Sequence, residues 1–292
     1  ETSPTATGSI ADHRLALDSG AIEALAMALA SRLGVTVRHA GDAPAFTDEA
    51  GWVDALADDL QAHSGSSAVI VGAHQSADLH ALAHAINHAL GNVGHTVHHT
   101  EPIDVAPTDH AASLRDLVLD MSAGQVELLL ILDSNPVYDA PAELNFSAAL
   151  DRVTLRVHLG AYEDETAGLC HWHVPQSHFL ESWGDLRAHD GTVSVVQPLI
   201  RPLFPTRSAY EVVAVVAGAS GKPVLDMVRE RWAADPLFAT DTDFDATWQK
   251  ALHDGIIPGT ALGDRNVQLQ ALHMSSGFGQ VLDEDEGIEL AL

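Results

Sequence analysis

The chain has 292 residues, 46% of them apolar, which is enough for a substantial core in one large α/β unit or in two domains. Asp and Glu number 41 against 14 Lys and Arg, a formal charge of −27 spread along the whole chain. That balance excludes a nucleic-acid binder, which must neutralise phosphates, and opposes contact with an anionic membrane surface. It suits a protein kept soluble in strong salt, where screening removes self-repulsion, and so points to a halophilic source. The lone cysteine, Cys170, excludes an internal disulfide, an all-cysteine metal site and an iron–sulfur cluster held by this chain alone. No apolar run reaches the ~18 residues of a membrane span. The opening ETSPTATGSIADHR has neither the basic start nor the apolar core of a signal peptide. The chain therefore reads as a mature protein or as a piece of a larger one.

Residues 1–9 are Ser/Thr/Gly/Pro-rich and read as a frayed end. Helical spacing of apolar residues follows at 20–33 and again at 48–63, with Trp52, Leu56 and Leu60 on one face. SSAVIVGA (66–73), opened by serine and closed by glycine, predicts a buried parallel strand. The helix after it, to Leu90, has Gly91 as its cap. Residues 112–123 predict a helix, 126–136 a strand broken at Asn135-Pro136, and 140–150 a short helix. Further strands are predicted at 152–160, 170–175 and 192–198. From 206 the pattern turns helical, through RSAYEVVAVVAGAS, KPVLDMVRERWAA and DFDATWQKALHDG. The last residues, VLDEDEGIELAL, are weakly periodic and read as a tail. Alternating strands and helices with short loops predict an α/β fold: an open, mostly parallel sheet with helices on both faces. The divisions are 1–108 (helices and the strand 66–73), 109–205 (a second α/β lobe) and 206–292 (a helical extension and tail). Ligands of such sheets sit at the carboxyl ends of the strands.

Two groups of side chains carry metal-binding spacing. His80, His84 and His88 stand at i, i+4 and i+8 on one helix, opposite Leu79, Leu82, Ala83, Ile86 and Leu90. Such a pair has ligand geometry, but a solvated face in a lysine-poor chain is the favoured reading, since helix-face histidines without a carboxylate partner rarely form closed sites. His95, His98 and His99 follow in a loop. In GAYEDETAGLCHWHVP (160–175), His171 and His173 point to one face of a strand and Cys170 and Trp172 to the other. His171, His173 and a carboxylate, Glu165 or Asp164, are a candidate metal set. The plain alternative packs His173 and hydrogen-bonds His171 to a neighbouring loop. GxSxG, HExxH, the P-loop and GxGxxG are all absent, so no catalytic residue is assigned.

The order of four segments carries a resemblance. LAHAINHALGNVG (82–94) resembles the AxAxNxLLGNxG segment of molybdopterin oxidoreductases. LLLILDSNPVYDAP (128–141) resembles their strand ending in GxNPxxxxP. DETAGLCHWHVPQSHFLESWGD (164–185) resembles their ETAxxADVVLPxxxxLExxG segment, and DGTVSVVQPLIRPLFPTRSAYEVV (190–213) the part that follows. The resemblance spans about residues 66–256. Within it, the best match is the molybdopterin-oxidoreductase-like iron–sulfur subunit of alternative complex III, a quinol:electron-acceptor oxidoreductase.

That resemblance implies a cofactor-free scaffold domain, excised from a periplasmic subunit of a membrane-associated respiratory complex. Its partners would be iron–sulfur, haem c and membrane subunits, with no membrane insertion of its own. Where active members have Ala-Asp-Val-Val-Leu-Pro, this chain has Cys170-His171-Trp172-His173-Val174-Pro175, whose bulk fills space a pterin needs. The Trp172, His173, His178 and Trp183 cluster is then a packed core or a subunit contact. The alternative is an oxidoreductase domain that binds molybdopterin guanine dinucleotide with Mo or W, touched by Asn135, Glu165 and Thr166. The second alternative is a metal-binding module using His171, His173 and Glu165. If the cofactor is lost, Asn135-Pro136 and Glu165-Thr166 remain as fold determinants, fixing a strand exit and a turn.

Overall fold

The structure is a computed structural model that describes residues 1–39, 46–48, 51–238, 243–275 and 278. The tail 281–292 and residues 49–50, at the start of the second predicted helix, lie outside the described residues. The described residues fall into two units, Glu1–Glu101 with the segment from Gly263 on, and Pro102–Leu262.

The first unit is mainly helical. After a short helix, Ala6–Ile10 (α1), comes Ser19–Arg32 (α2), whose first turn is closed by the Asp18 carboxylate accepting from the Ala21 N–H at 2.8 Å. A short strand, Val37–His39 (β1), pairs in parallel with the late strand Leu272–Met274. The helices Trp52–Ala62 (α3) and Ala77–Ala89 (α4) complete a core of Leu29, Ala57, Leu60, Leu82, Ile86 and Met274. The stripe anticipated on α4 is buried: Leu79, Leu82, Ala83, Ile86 and Leu90 all face inward. Gly91 ends that helix in the left-handed region at φ 67°.

The segment 66–73 corrects the sequence reading: it forms no strand. Val69 and Val71 pack on the core while Ile70, between them, is 88% exposed, so the alternation is real. Among the described residues no neighbouring backbone pairs with this segment. The Asn87 side-chain amide takes its place, accepting from the Val69 N–H at 2.9 Å and donating to the Val69 carbonyl at 2.7 Å. Asn92, fully buried, donates to Asn87 Oδ1 at 3.0 Å.

The second unit holds the α/β architecture. His110–Ser122 (α5) leads into the strand Leu128–Leu132 (β2). Pro136–Asp139 (α6) and Phe146–Leu150 (α7) precede the strand Leu155–Gly160 (β3). Glu165–Leu169 (α8) precedes Trp172–Pro175 (β4). The three strands form a parallel sheet in the order β2-β3-β4, with Leu130 opposite Val157 and Val157 opposite Trp172. Leu129 and Ile131 on one face pack with Val118 and Met121 of α5 and Phe146, Ala149 and Leu150 of α7. An open parallel sheet with crossover helices is the predicted class.

The remaining strands are antiparallel. Gly184–Arg187 (β5), Val193–Val196 (β6) and Ile256–Ile257 (β7) form a second sheet, so the strand predicted at 192–198 does not extend the parallel one. The helices Ala209–Val216 (α9), Val224–Ala233 (α10) and Phe244–Asp254 (α11) follow 206 as anticipated. Trp232 and Trp248 share a core with Val193, Val195 and Ile257, so the helices after residue 206 pack onto strands before it. Among the described residues no helix is long and apolar enough to cross a membrane.

Candidate functional site at the parallel strand ends

The carboxyl ends of β2, β3 and β4 bring together Asp133, Ser134, Asn135, His158, Asp164, Glu165, Thr166 and His173. β2 stops because Asp133 turns into the left-handed region, at φ 50°, while its N–H still bonds the Leu159 carbonyl at 2.8 Å. Pro136 then starts α6, where its missing N–H costs nothing. Asn135 is left facing the first turn of α8.

Asn135 and Thr166 form the centre. Asn135 Oδ1 accepts from the Thr166 N–H at 3.2 Å and from the Thr166 hydroxyl at 2.7 Å. Asn135 Nδ2 donates to Glu165 Oε2 at 2.8 Å. The fully buried Thr166 hydroxyl in turn accepts from the Val137 N–H at 3.1 Å. Asp164 caps α8, accepting from the Ala167 N–H at 2.8 Å. The Asn135 bond holds the Glu165 carboxyl below its ordinary pKa, against the opposing charge of Asp164.

The second half of the site is a histidine pair, one member of which the sequence reading missed. His158 is fully buried on β3, and its Nε2 lies 3.2 Å from the Ser134 carbonyl. A carbonyl only accepts, so Nε2 carries the proton. His158 Nδ1 meets His173 Nδ1 at 3.0 Å, and the two rings stack 5.2 Å apart. Asp164 Oδ2 stands 3.9 Å from His158 Nε2. Gly160 makes this possible: a Cβ there would lie 2.5 Å from His158 Cε1. The available signal was a polar residue on a strand whose neighbours Leu159 and Val157 are apolar, followed two positions on by glycine.

The other candidates disperse. His171 Nδ1 accepts from the backbone N–H of Arg156 at 3.1 Å, with the Arg156 guanidinium beside the ring. His171, His173 and Glu165 therefore each have a different partner and are not brought together. Among the described residues no three His, Cys, Asp or Glu side chains stand where they could hold a metal ion. Cys170 packs against the α5/α7 core, and burial pushes its thiol pKa up, which keeps it protonated. Trp172 is 67% exposed and does not fill the strand ends, contrary to the anticipated bulk. His178 lies on Phe179 and caps the next turn, and Trp183 packs with the β6 core, so no single aromatic cluster exists. On α4, His84 and His88 are exposed, and the His84 ring lies 5.4 Å from that of His99. Partial burial, then the charges of His99 and His80, lower the His84 pKa.

A phosphate-bearing dinucleotide needs cations or free N–H donors. The strand ends present carboxylates from Asp133, Asp164 and Glu165, and Arg207, whose N–H bonds the Pro175 carbonyl at the end of β4, turns its guanidinium to the Thr206 carbonyl at 2.8 Å and to Glu211. Both polar atoms of the Asn135 side chain and the Thr166 hydroxyl are already engaged. The residues at these strand ends do not fit such a cofactor.

No family model matches the chain. Over 97 residues, 32% of this chain, it is 32% identical to the menaquinone reductase molybdopterin-binding-like subunit of Nitratidesulfovibrio vulgaris (strain Hildenborough). The matched stretch covers 14% of that protein's length. Among solved structures, acetylene hydratase from Pelobacter acetylenicus is similar over 35% of this chain and 15% of its own, at 21% identity and a TM-score of 0.32.

Proposed function

We propose that this chain is a cofactor-free, molybdopterin-oxidoreductase-like scaffold domain in a subunit of a multi-subunit respiratory electron-transfer complex. The observation that carries the reading is the closed network at the strand ends, where a ligand of this fold would sit. Asn135, Thr166, His158 and His173 bond one another or nearby backbone, and the charge left over is negative. The stretch similar to a menaquinone reductase molybdopterin-binding-like subunit supports the family and the setting in a multi-subunit complex. In this reading the polar residues hold the sheet, and electrons pass through iron–sulfur and haem-bearing partners. The domain stands on the periplasmic side of the cytoplasmic membrane.

The test is elemental analysis with pterin fluorescence after oxidation, on the full-length protein purified from its own membranes. The expected result is co-purifying subunits and iron, with molybdenum, tungsten and pterin all far below one per chain. Stoichiometric molybdenum or tungsten with pterin overturns the reading and makes Asn135, Glu165 and Thr166 cofactor contacts.

A further inference from the structure

The loop after α4 brings a histidine back to that helix, and backbone bonds fix the loop in place. The Gly94 N–H bonds the Val97 carbonyl at 2.9 Å, and the Thr96 and Val97 N–H groups reach the Asn92 carbonyl at 2.9 and 3.0 Å. Both ring nitrogens of His98 are used: Nδ1 lies 3.0 Å from Asp264 Oδ2, and Nε2 lies 3.0 Å from the His95 carbonyl. The His99 carbonyl accepts from the Arg265 N–H at 2.6 Å, and the Arg265 side chain pairs with Glu101 at 3.1 Å. All of these residues belong to the first unit.

This anchoring sets the His99 ring 5.4 Å from that of His84, tilted by 50°. Among the described residues neither side chain has a hydrogen bond or an ion pair, and the same holds for His80, one turn earlier on α4. His63, His98 and His253 differ, since each lies beside an aspartate. A histidine that stands in for lysine on a solvated acidic face behaves like those three. His84 and His99 have only each other.

The spacing is that of a shared ion. Two imidazoles on one tetrahedral ion, each bound through a nitrogen at about 2.0–2.1 Å, hold their ring centres about 5 Å apart. Partial burial and the neighbouring rings also favour the neutral His84 imidazole, which is the form that ligates. His84 itself is exposed, so an ion has access. The helix face alone offers no closed set, and the loop supplies the ligand that it lacks. His88, one turn further on, has no ring beside it among the described residues.

We propose that His84 and His99 are the two placed ligands of a divalent transition-metal site, with His80 as the third and water completing the shell. Among the described residues no three such side chains converge as they stand, so His80 joins by turning about its own side-chain bonds. At i, i+4 its β-carbon is about 5–6 Å from that of His84, within reach of one ion. An all-imidazole set suits zinc, copper or nickel and not magnesium or calcium. The bound ion ties α4 to the loop that follows it. The site lies in the first unit, away from the strand ends of the second, and does not depend on the function proposed above. The test is a zinc titration of the metal-free full-length protein against a chromophoric chelator. One site is expected that weakens by roughly tenfold or more in His84→Ala and in His99→Ala, and by roughly threefold or more in His80→Ala. His88→Ala leaves it unchanged. His84→Gln and His99→Gln keep the bulk of the side chain and give the same loss, with melting curves of the metal-free proteins matching the parent, which separates ligation from folding. Zinc held loosely by the many carboxylates appears equally in the parent and in every variant, and zinc of that kind alone overturns the proposal. So does a site that survives His84→Ala or His99→Ala, or one that His88→Ala weakens as much. Unchanged affinity in His80→Ala overturns the three-ligand set.

Discussion

Two amide networks, one in each unit, solve different problems with the same side chain. Asn87 in the first unit stands in for a missing strand, satisfying both backbone groups of Val69. Asn135 in the second unit works at the end of a complete ladder, tying the exit of β2 to the first turn of α8. Among the described residues the Asn87 side chain is the partner of both backbone groups of Val69, whereas Asn135 reinforces strands already joined through five register pairs between β2 and β3. Buried amides that replace backbone partners should cost more to remove than amides that supplement them.

That contrast is sharpest in Asn87→Ala. The substitution leaves a donor and an acceptor on Val69 unpaired and strips Asn92 of the acceptor it uses at 3.0 Å. A loss of about 3 kcal/mol is expected in urea unfolding, with faster amide exchange across residues 66–73. Asn87→Asp keeps the acceptor and loses the donor, so an intermediate cost is expected. A loss under about 1 kcal/mol for Asn87→Ala would mean that core packing of Val69 and Val71 alone holds the segment.

In the second unit the largest effect belongs to Gly160→Ala. The new Cβ displaces a buried ring held at two nitrogens, so a cost of about 2–3 kcal/mol is expected from lost hydrogen bonds and overpacking. Adding His158→Ala removes the obstacle. The double variant should then be less destabilised than the sum of the two single changes, a non-additivity read directly in a double-mutant cycle. Additive losses would show that the ring is not what Gly160 accommodates.

Thr166→Val comes next, at about 1–2 kcal/mol, because the hydroxyl both donates to Asn135 and accepts from Val137. Serine at the same position keeps the hydroxyl and should recover most of the loss. Equal losses for valine and serine would assign the cost to packing instead of to the network.

The legible parts of this chain are those where one side chain pattern fixes one local outcome. Helix α4 is readable because its apolar stripe and Gly91 agree. β2 is readable because a short apolar run ends ahead of Asn-Pro, and β3 and β4 because alternating apolar residues end at glycine and at proline. Segment 66–73 shows the limit: alternation of Val69, Ile70 and Val71 reports one buried and one exposed face, and says nothing about a paired backbone. Residues Asn87 and Asn92 stood in view within LAHAINHALGNVG, but their partners lie 18 and 25 positions away, at Val69 and Ser67. The strand-end site was half legible. Asn135, Glu165 and Thr166 do meet, while His173 takes its partner from β3, across the sheet. Register between strands decides such pairs, and no spacing along one strand encodes it.

The smallest effect lies away from both networks, at the junction of β5 with α9 and α10. Tyr210 donates to the Asp185 carboxylate, which also accepts from Trp232 Nε1 at 2.8 Å. Burial first, then the bond to Asp185 and its charge, raise the Tyr210 phenol from 10.0 to about 12. The neutral phenol is the form the fold favours, so its contribution is fully present below pH 10.0 and is lost as the pH rises through about 12. Tyr210→Phe should cost about 1 kcal/mol at neutral pH, the ordinary worth of one hydrogen bond. The gap between the two proteins should then close as the pH climbs through that window, since phenylalanine has no proton to lose. A gap that stays constant to the top of the window would place the worth of Tyr210 in its ring and not in its hydroxyl. A carboxylate shared with an indole would then hold this junction without help from the phenol.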